Sequence, residues 1–395
     1  YPYKFLPFLI GMLLWLAHPI YGQAIREHIL LDNGWKFSLG HATDPTKDLF
    51  YRVYNDFSKT LSKGINFSSI DYDDSAWQTV DLPHDWAVIL PFSEKGDWSH
   101  GYKALGSTFP EHSIGWYRKT FDLSKSEAGK RIELQFDGIF RDSRCWVNGI
   151  YVGHHLSGYT GIKYDITDLV HFGKPNVITV RVDATQNEGW FYEGAGIYRH
   201  VWLNSYNSVH SSSEEVFIYT KSIGKQAEMH AEATVHNRKT SSQTLQVEWT
   251  ILNREKKVIA THKSANTTFA PNEKVTVKSN LNIPNAQLWD TEHPYLYTLT
   301  TKIISNGKTT DLIHTRFGVR TFSYQPDGFY LNDKKMKIKG VCVHQDHAGV
   351  GTALLDELQY YRIGLLKAMG ANAYRTAHHP HSPVVLQACD SLGVL

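Results

Sequence analysis

Three histidines and an arginine fall within YRTAHHPHSP, residues 374–383, and upstream VHQDH adds His344, Asp346 and His347. Imidazole can bind a metal, shuttle a proton or hydrogen-bond a polar ligand, so its neighbours decide among these. Three readings stand side by side. A zinc site would draw on His344, Asp346, His347 and some of His378, His379 and His381, because imidazole and carboxylate suit that ion. A carbohydrate site would use His344 and His378 as partners for sugar hydroxyls, with Arg375 as electrostatic support. The third reading is solvated loop histidines without a role.

The elements around these residues favour convergence. GFYLNDKKMKIKGVCV reads as a hairpin around Asn332-Asp333 whose second arm becomes an apolar strand ending before His344. LLDELQYYRIGLLKAMG follows as a helix with Leu358, Tyr361, Leu365, Leu366 and Met369 on one side and Gly370 as its cap. ANAYRT is then a strand, Ser382-Pro383 opens a second helix that Gly393 ends, and the terminal VL starts another strand. This is the rhythm of a parallel sheet, which gathers functional loops at the strand carboxyl ends. His344 follows the first strand, and Arg375 and His378 follow the second, so both loops open on one face.

The preceding chain has a different texture. Across 24–207 short alternating strands are separated by Gly, Asp and Asn turns. RIELQF turns Ile132, Leu134 and Phe136 to one face, and VITVRVD turns Ile178, Val180 and Val182 inward with Thr179 and Arg181 outward. Asn148-Gly149 in CWVNGIYVG suits a tight hairpin. Many close strands without long helical patterns imply a β-sandwich of the jelly-roll kind. Across 208–322, EVFIYTK, MHAEATVHN, TLQVEWTIL, EKVTVKS and LYTLTTKII suit an immunoglobulin-like sandwich acting as a spacer.

Composition narrows the classes. A chain of 395 residues, 42% hydrophobic, is long enough for two or three domains. Net charge is +2 and no dense Lys/Arg block occurs, so nucleic-acid capture has no support. The aromatic share of 13% is read as packing inside β-sandwich cores ahead of sugar-stacking surfaces. Residues 1–23 place Lys4 ahead of an apolar run and then Pro19 and Gly22, the pattern of a signal peptide and too short for a membrane span. Export to the periplasm or the medium is expected. Cys145, Cys342 and Cys389 are odd in number and widely spaced, which suggests buried thiols and no disulfide framework. Asn66 and Asn266 open short sequons.

Several motifs together resemble a known family. VDLPHDWAV, GWYRKTFDL, FDGIFRDSRCWVNGIYVGHHLSGYTGIKYDIT and GAGIYRHVWL look like the sugar-binding jelly roll of glycoside hydrolase family 2. RFGVRTFSYQPDGFYLNDKKMKIKGVCVHQDHAGVG and GANAYRTAHHPHSP look like the start of its catalytic (β/α)8 TIM barrel, in the style of exported β-galactosidases of gut Bacteroidetes. The resemblance implies that His344 and His378 line the subsite for the terminal sugar. It makes Arg375 similar to the arginine that orients the nucleophilic carboxylate, and Asp183 similar to the jelly-roll aspartate that reaches the sugar across the domain seam. Asp183 also reads as an ordinary turn-initiating aspartate.

A retaining mechanism needs two carboxylates about 5 Å apart. In the family these are glutamates on later barrel strands, the acid/base within an Asn-Glu pair, and none occurs between residue 323 and Leu395. Asn187-Glu188 and Asn272-Glu273 lie in the two sandwiches, and Glu357 sits at a helix start. The chain therefore reads as an N-terminal portion: 24–207 jelly roll, 208–322 immunoglobulin-like, and 323–395 an incomplete barrel with an open edge and exposed apolar helix faces. No catalytic residue, cofactor or metal is assigned within it. A carbohydrate substrate is expected, with a homo-oligomer open to the full-length protein. The leading expectation is a retaining exo-β-galactosidase, inactive as this chain alone. The alternatives are a β-glucuronidase or β-mannosidase of the same family, or a non-catalytic carbohydrate-binding protein.

Overall fold

The computed structural model describes residues 25–50 and 67–395. The expected signal peptide and the Asn66 sequon lie outside these residues, and Asn266 is exposed. Among the described residues no helix is long and apolar enough to cross a membrane.

Two antiparallel sheets enclose the first core. One runs in the order Arg26–Leu30, Val201–Tyr206, Arg131–Phe136 and Ile162–Asp165. The other runs Gln78–Val80, Trp35–Leu39, Ile114–Asp122, Pro175–Asp183, Ser143–Val147 and Ile150–His155. Ile132, Leu134 and Phe136 are fully buried, as their alternation with partly exposed neighbours requires. The hairpin at Asn148-Gly149 has φ of 49° and 86°, the left-handed pair that asparagine and glycine tolerate.

One expectation fails on the second sheet. Thr179 and Arg181 do not face solvent; they are 0% and 3% exposed. Phe67, Trp116 and Trp146, with Phe50 and Tyr72 against them, lay a smaller apolar layer over that face. The Arg181 guanidinium within it lies 3.5 Å from the fully buried Asp48 carboxylate and 3.1 Å from that of Asp183. Strand alternation cannot report a second layer placed over the polar side.

The second sandwich sets Val209–Ile223, Gln226–Asn237 and Lys274–Pro284 against Val258–Lys263, Gln243–Leu252, Leu296–Ser305 and Lys308–Gly318, with Thr267–Phe269 also on Gln243–Leu252. Trp249 is central and fully buried. Val258–Lys263 and Lys308–Gly318 escape the sequence pattern because they are the two sheet edges, where charge and threonine replace the apolar alternation.

The final segment begins with a small sheet in which Gly328–Leu331 pairs with Lys334–Met336 across Asn332-Asp333. The second arm does not continue into the apolar strand. It stops at Met336, and Gly340–Val343 belongs to another sheet, paired in parallel with Ala373–Thr376 from Gly340↔Ala373 to Val343↔Thr376. Helix α1 (Asp356–Ala368) joins these strands and helix α2 (Pro383–Leu392) follows. Ser382 precedes α2, and Gly393 ends it at φ 73°. Leu395 lies beside the second strand, accepting from the Tyr374 amide at 2.7 Å and donating to the Asn372 carbonyl at 2.9 Å.

Ile363 of α1 buries against Val385, Ala388 and Cys389 of α2. The stripe of Tyr361, Leu365 and Met369 lies 60%, 51% and 69% exposed. Cys145 and Cys389 are buried, with burial lifting the Cys389 thiol to about 11. Cys342 is exposed, against expectation, because its two-stranded sheet leaves one face uncovered.

Replacing Arg181 by alanine strands the Asp48 carboxylate without its cation. A loss of about 3 kcal/mol of unfolding free energy is expected in denaturant titration, the usual scale for breaking a buried ion pair. A change under about 0.5 kcal/mol, typical of surface positions, would show that the guanidinium does not support that layer.

Candidate functional site

Parallel pairing sets His344 and His378 beyond the same ends of their strands. Their rings meet edge to face, centroids 5.3 Å apart and planes at 88°. The jelly-roll loop 187–193, NEGWFYE, closes against them. Phe191 lies 4.9 Å from His344 and 5.7 Å from His378, and Trp190 lies 6.1 Å and 5.5 Å from the same rings. His379 turns away and stacks on Tyr159 at 4.0 Å. Burial holds the His379 imidazole down to about 4, so it is neutral near pH 7. His344 Nδ1 is buried without a protein partner, a polar atom that a ligand hydroxyl could satisfy.

Buried carboxylates shape this wall. Glu193 accepts from the Tyr159 hydroxyl, from the Glu188 amide at 3.0 Å and from the Gly189 amide at 2.6 Å, fixing the backbone just before Trp190. Burial lifts its carboxyl above the usual range against those donors. Arg141 pairs with Glu188 at 2.9 Å and closes the base of the loop.

The seam between sandwich and barrel segment is built the same way. Asp85 is 5% exposed, and its Oδ1 accepts from the Ala87 amide at 3.0 Å and the Ala195 amide at 2.9 Å. Its Oδ2 accepts from the Tyr192 hydroxyl at 3.0 Å and from the Thr352 amide and hydroxyl at 3.0 and 3.1 Å. Burial lifts this carboxyl too, opposed by the same donors. Arg199, 5% exposed, donates to Gln345 Oε1 at 3.0 Å and to the Pro380 carbonyl at 2.7 Å, touching both histidine loops. His200 bridges Asp32 of the sandwich at 2.6 Å and Asp356 of α1 at 3.0 Å.

The four residues singled out by sequence are placed unequally. His344 and His378 come together. Arg375 lies within its strand, not after it, and its guanidinium donates to Cys342 Sγ at 3.7 Å. Asp183 closes Pro175–Asp183, where its Oδ1 accepts from the Thr185 amide at 3.1 Å and hydroxyl at 2.7 Å while Oδ2 faces Arg181. Those are the bonds of a turn-initiating aspartate, and among the described residues no contact joins it to either imidazole. Glu357 lies in the first turn of α1. Among the described residues no group of three or more His, Cys, Asp or Glu side chains is arranged to hold a metal ion. Trp190, Phe191, Glu193, Asp85 and Arg199 were not singled out; the aromatic run before GAGIYRH was the available signal.

Two imidazoles and two aromatic rings thus stand side by side at the seam between a β-sandwich and a parallel barrel segment, hydrogen-bonding groups next to apolar faces. Residues 105–207 match "Glycosyl hydrolases family 2, sugar binding domain", residues 213–320 match "Glycosyl hydrolases family 2" and residues 324–395 match its TIM barrel domain. The chain belongs to glycoside hydrolase family 2. It is 35% identical over 338 residues to β-galactosidase BoGH2A of Bacteroides ovatus, covering 85% of this chain and 39% of that protein. It is 34% identical over 344 residues to a putative β-glucuronidase of Formosa agariphila, covering 86% and 32%. A family 2 crystal structure from Bacteroides cellulosilyticus superposes with a TM-score of 0.82 at 31% identity, over 93% of this chain and 45% of that one. The Bacteroides uniformis β-glucuronidase gives 0.76 at 27%, over 94% and 41%. The chain thus spans under half the length of each of these relatives.

His200 makes the seam sensitive to pH. Burial pushes its imidazole down, but the hydrogen bonds and charges of Asp32 and Asp356 outweigh burial and lift it from 6.5 to about 9. The folded chain therefore holds this proton more tightly than the unfolded chain does. The resulting stabilisation is complete below pH 6.5 and fades as pH rises through about 9. Unfolding free energy measured from pH 6 to 10 is expected to fall over that window and to flatten there in His200→Gln; equal slopes in both proteins would remove His200 as the cause.

Proposed function

We propose that this chain forms part of an exported, retaining exo-β-glycosidase that releases terminal β-D-galactosyl units in carbohydrate breakdown. The observation that carries the reading is the His344–His378 pair, edge to face at 5.3 Å beneath Trp190 and Phe191. The two imidazoles would hydrogen-bond ring hydroxyls of the terminal sugar. Those bonds gain strength as the ring distorts toward an oxocarbenium-like transition state, so binding is spent on the reaction and not only on capture. Phe191 packs against both imidazoles and would flank the sugar.

Arg375 would orient the nucleophilic carboxylate, and Asp183 would reach the terminal sugar from the jelly roll after giving up a bond to Thr185 or Arg181. The acid/base and nucleophile glutamates are assigned to positions outside these 395 residues, and the chemistry needs no cofactor. The galactoside preference draws on the likeness to BoGH2A. A β-glucuronidase is the second reading, favoured by the Formosa agariphila relative and by a Bacteroides fragilis β-glucuronidase, 28% identical over 387 residues.

The purified chain is expected to bind methyl β-D-galactoside in calorimetry, to lose about tenfold in affinity as His378→Ala, the scale of one net hydrogen bond, and to release no nitrophenol from nitrophenyl β-galactoside. Clear turnover abolished by His378→Ala would overturn the assignment of the carboxylates elsewhere. Preference for methyl β-D-glucuronide would move the reading to glucuronides.

A further inference from the structure

Two tryptophans stand half out of water next to the imidazole pair. Trp98 is 50% and Trp190 59% exposed, with ring centroids 6.1 Å apart and planes at 31°. Trp190 is in turn 5.5 Å from His378. Trp190 thus lies in contact with both Trp98 and His378. Single exposed apolar residues are ordinary, whereas a contiguous exposed pair beside a polar pocket is the pattern of a ligand surface.

The pair is also held rigidly. Asp97 caps the short turn Trp98–His100 by accepting from the Ser99 amide at 2.7 Å. The Ser99 hydroxyl donates to the Gly189 carbonyl at 2.8 Å, the Asn187 amide group donates to that hydroxyl at 3.2 Å, and the Glu193 amide donates to the Ser99 carbonyl at 3.0 Å. One serine therefore locks the loop carrying Trp98 to the loop carrying Trp190. Such fixing removes most of the ordering cost that a mobile aromatic would add to binding.

We propose that Trp98 and Trp190 form a second sugar-stacking surface next to the terminal-sugar pocket, so that the ligand is a β-linked oligosaccharide whose penultimate unit lies on these indoles. A pyranose offers C–H groups on its faces and hydroxyls around its rim. Its faces suit the electron-rich indole surface, and its rim stays in water, as the half-exposure of both rings allows. This inference rests on the proposed glycosidase reading and deepens it, because it assigns the penultimate sugar of that ligand to two residues of the jelly roll.

The test compares methyl β-D-galactoside with lactose by calorimetry, using the 395-residue chain, its Trp98→Ala variant and its His378→Ala variant. Lactose is expected to bind about tenfold more tightly than the monosaccharide, the scale of one aromatic stacking contact. Trp98→Ala removes that advantage and leaves monosaccharide affinity unchanged, while His378→Ala weakens both sugars. Equal affinities for the two sugars in the unsubstituted chain, or an advantage for lactose that survives Trp98→Ala, overturn the stacking surface alone. Failure of either sugar to bind the unsubstituted chain overturns the glycosidase reading and this inference with it.

Discussion

A single buried carboxylate holds together the parts from which the site is made. Asp85 accepts five hydrogen bonds from three separate stretches: its own turn, the Tyr192–Ala195 stretch of the jelly roll and Thr352 of the barrel segment. Desolvating an anion is costly unless its lone pairs are filled, and here they are filled by groups that must all be in place. Two glycines make room for it. A Cβ at Gly194 or Gly351 would come within 2.3 or 2.2 Å of Asp85 Oδ2, and both backbones are left-handed, with φ of 67° and 61°. Gly194 of GAG and Gly351 of GVG are thus explained by one oxygen atom.

From that point outward the seam is tightened twice more. On the jelly-roll side Arg199 reaches Gln345 and Pro380, so the loops bearing His344 and His378 share one guanidinium. On the far side the second sandwich grips the helices: Trp289 Nε1 donates to the Asp390 carbonyl at 2.8 Å, and Lys367 reaches the carbonyls of Thr291 and Gly393. Gly393 is needed there as well, since a Cβ would stand 2.4 Å from the Thr291 carbonyl oxygen. The middle domain, read from sequence as a spacer, is thus also hydrogen-bonded to the barrel segment. A barrel segment of two paired strands has little core of its own, so its loops are positioned by neighbours.

What was legible in the sequence follows from how local each feature is. The strands Arg131–Phe136 and Pro175–Asp183, the Asn148-Gly149 hairpin and both helix ends depend on near neighbours in the chain, and their patterns were readable. The convergence of His344 and His378 was readable because parallel pairing makes it a consequence of strand order. The burial of Thr179 and Arg181 was not, because the covering layer comes from residues far away in sequence. Trp190 and Phe191 were hidden for a similar reason. Aromatic residues mostly fill sandwich cores, and only the buried Glu193 and the Ser99 bonds, invisible in a linear reading, turn this loop outward. Asp183 stands at the expected strand end, where its hydrogen bonds to Thr185 are those of a turn.

The most direct measurement is a crystal structure of the chain soaked with galactose. The account predicts one pyranose against the paired imidazoles of residues 344 and 378, with Phe191 at its flank and its anomeric carbon directed toward the exposed indoles. A sugar bound elsewhere on the jelly roll, or an ion clasped by those imidazoles, would contradict it.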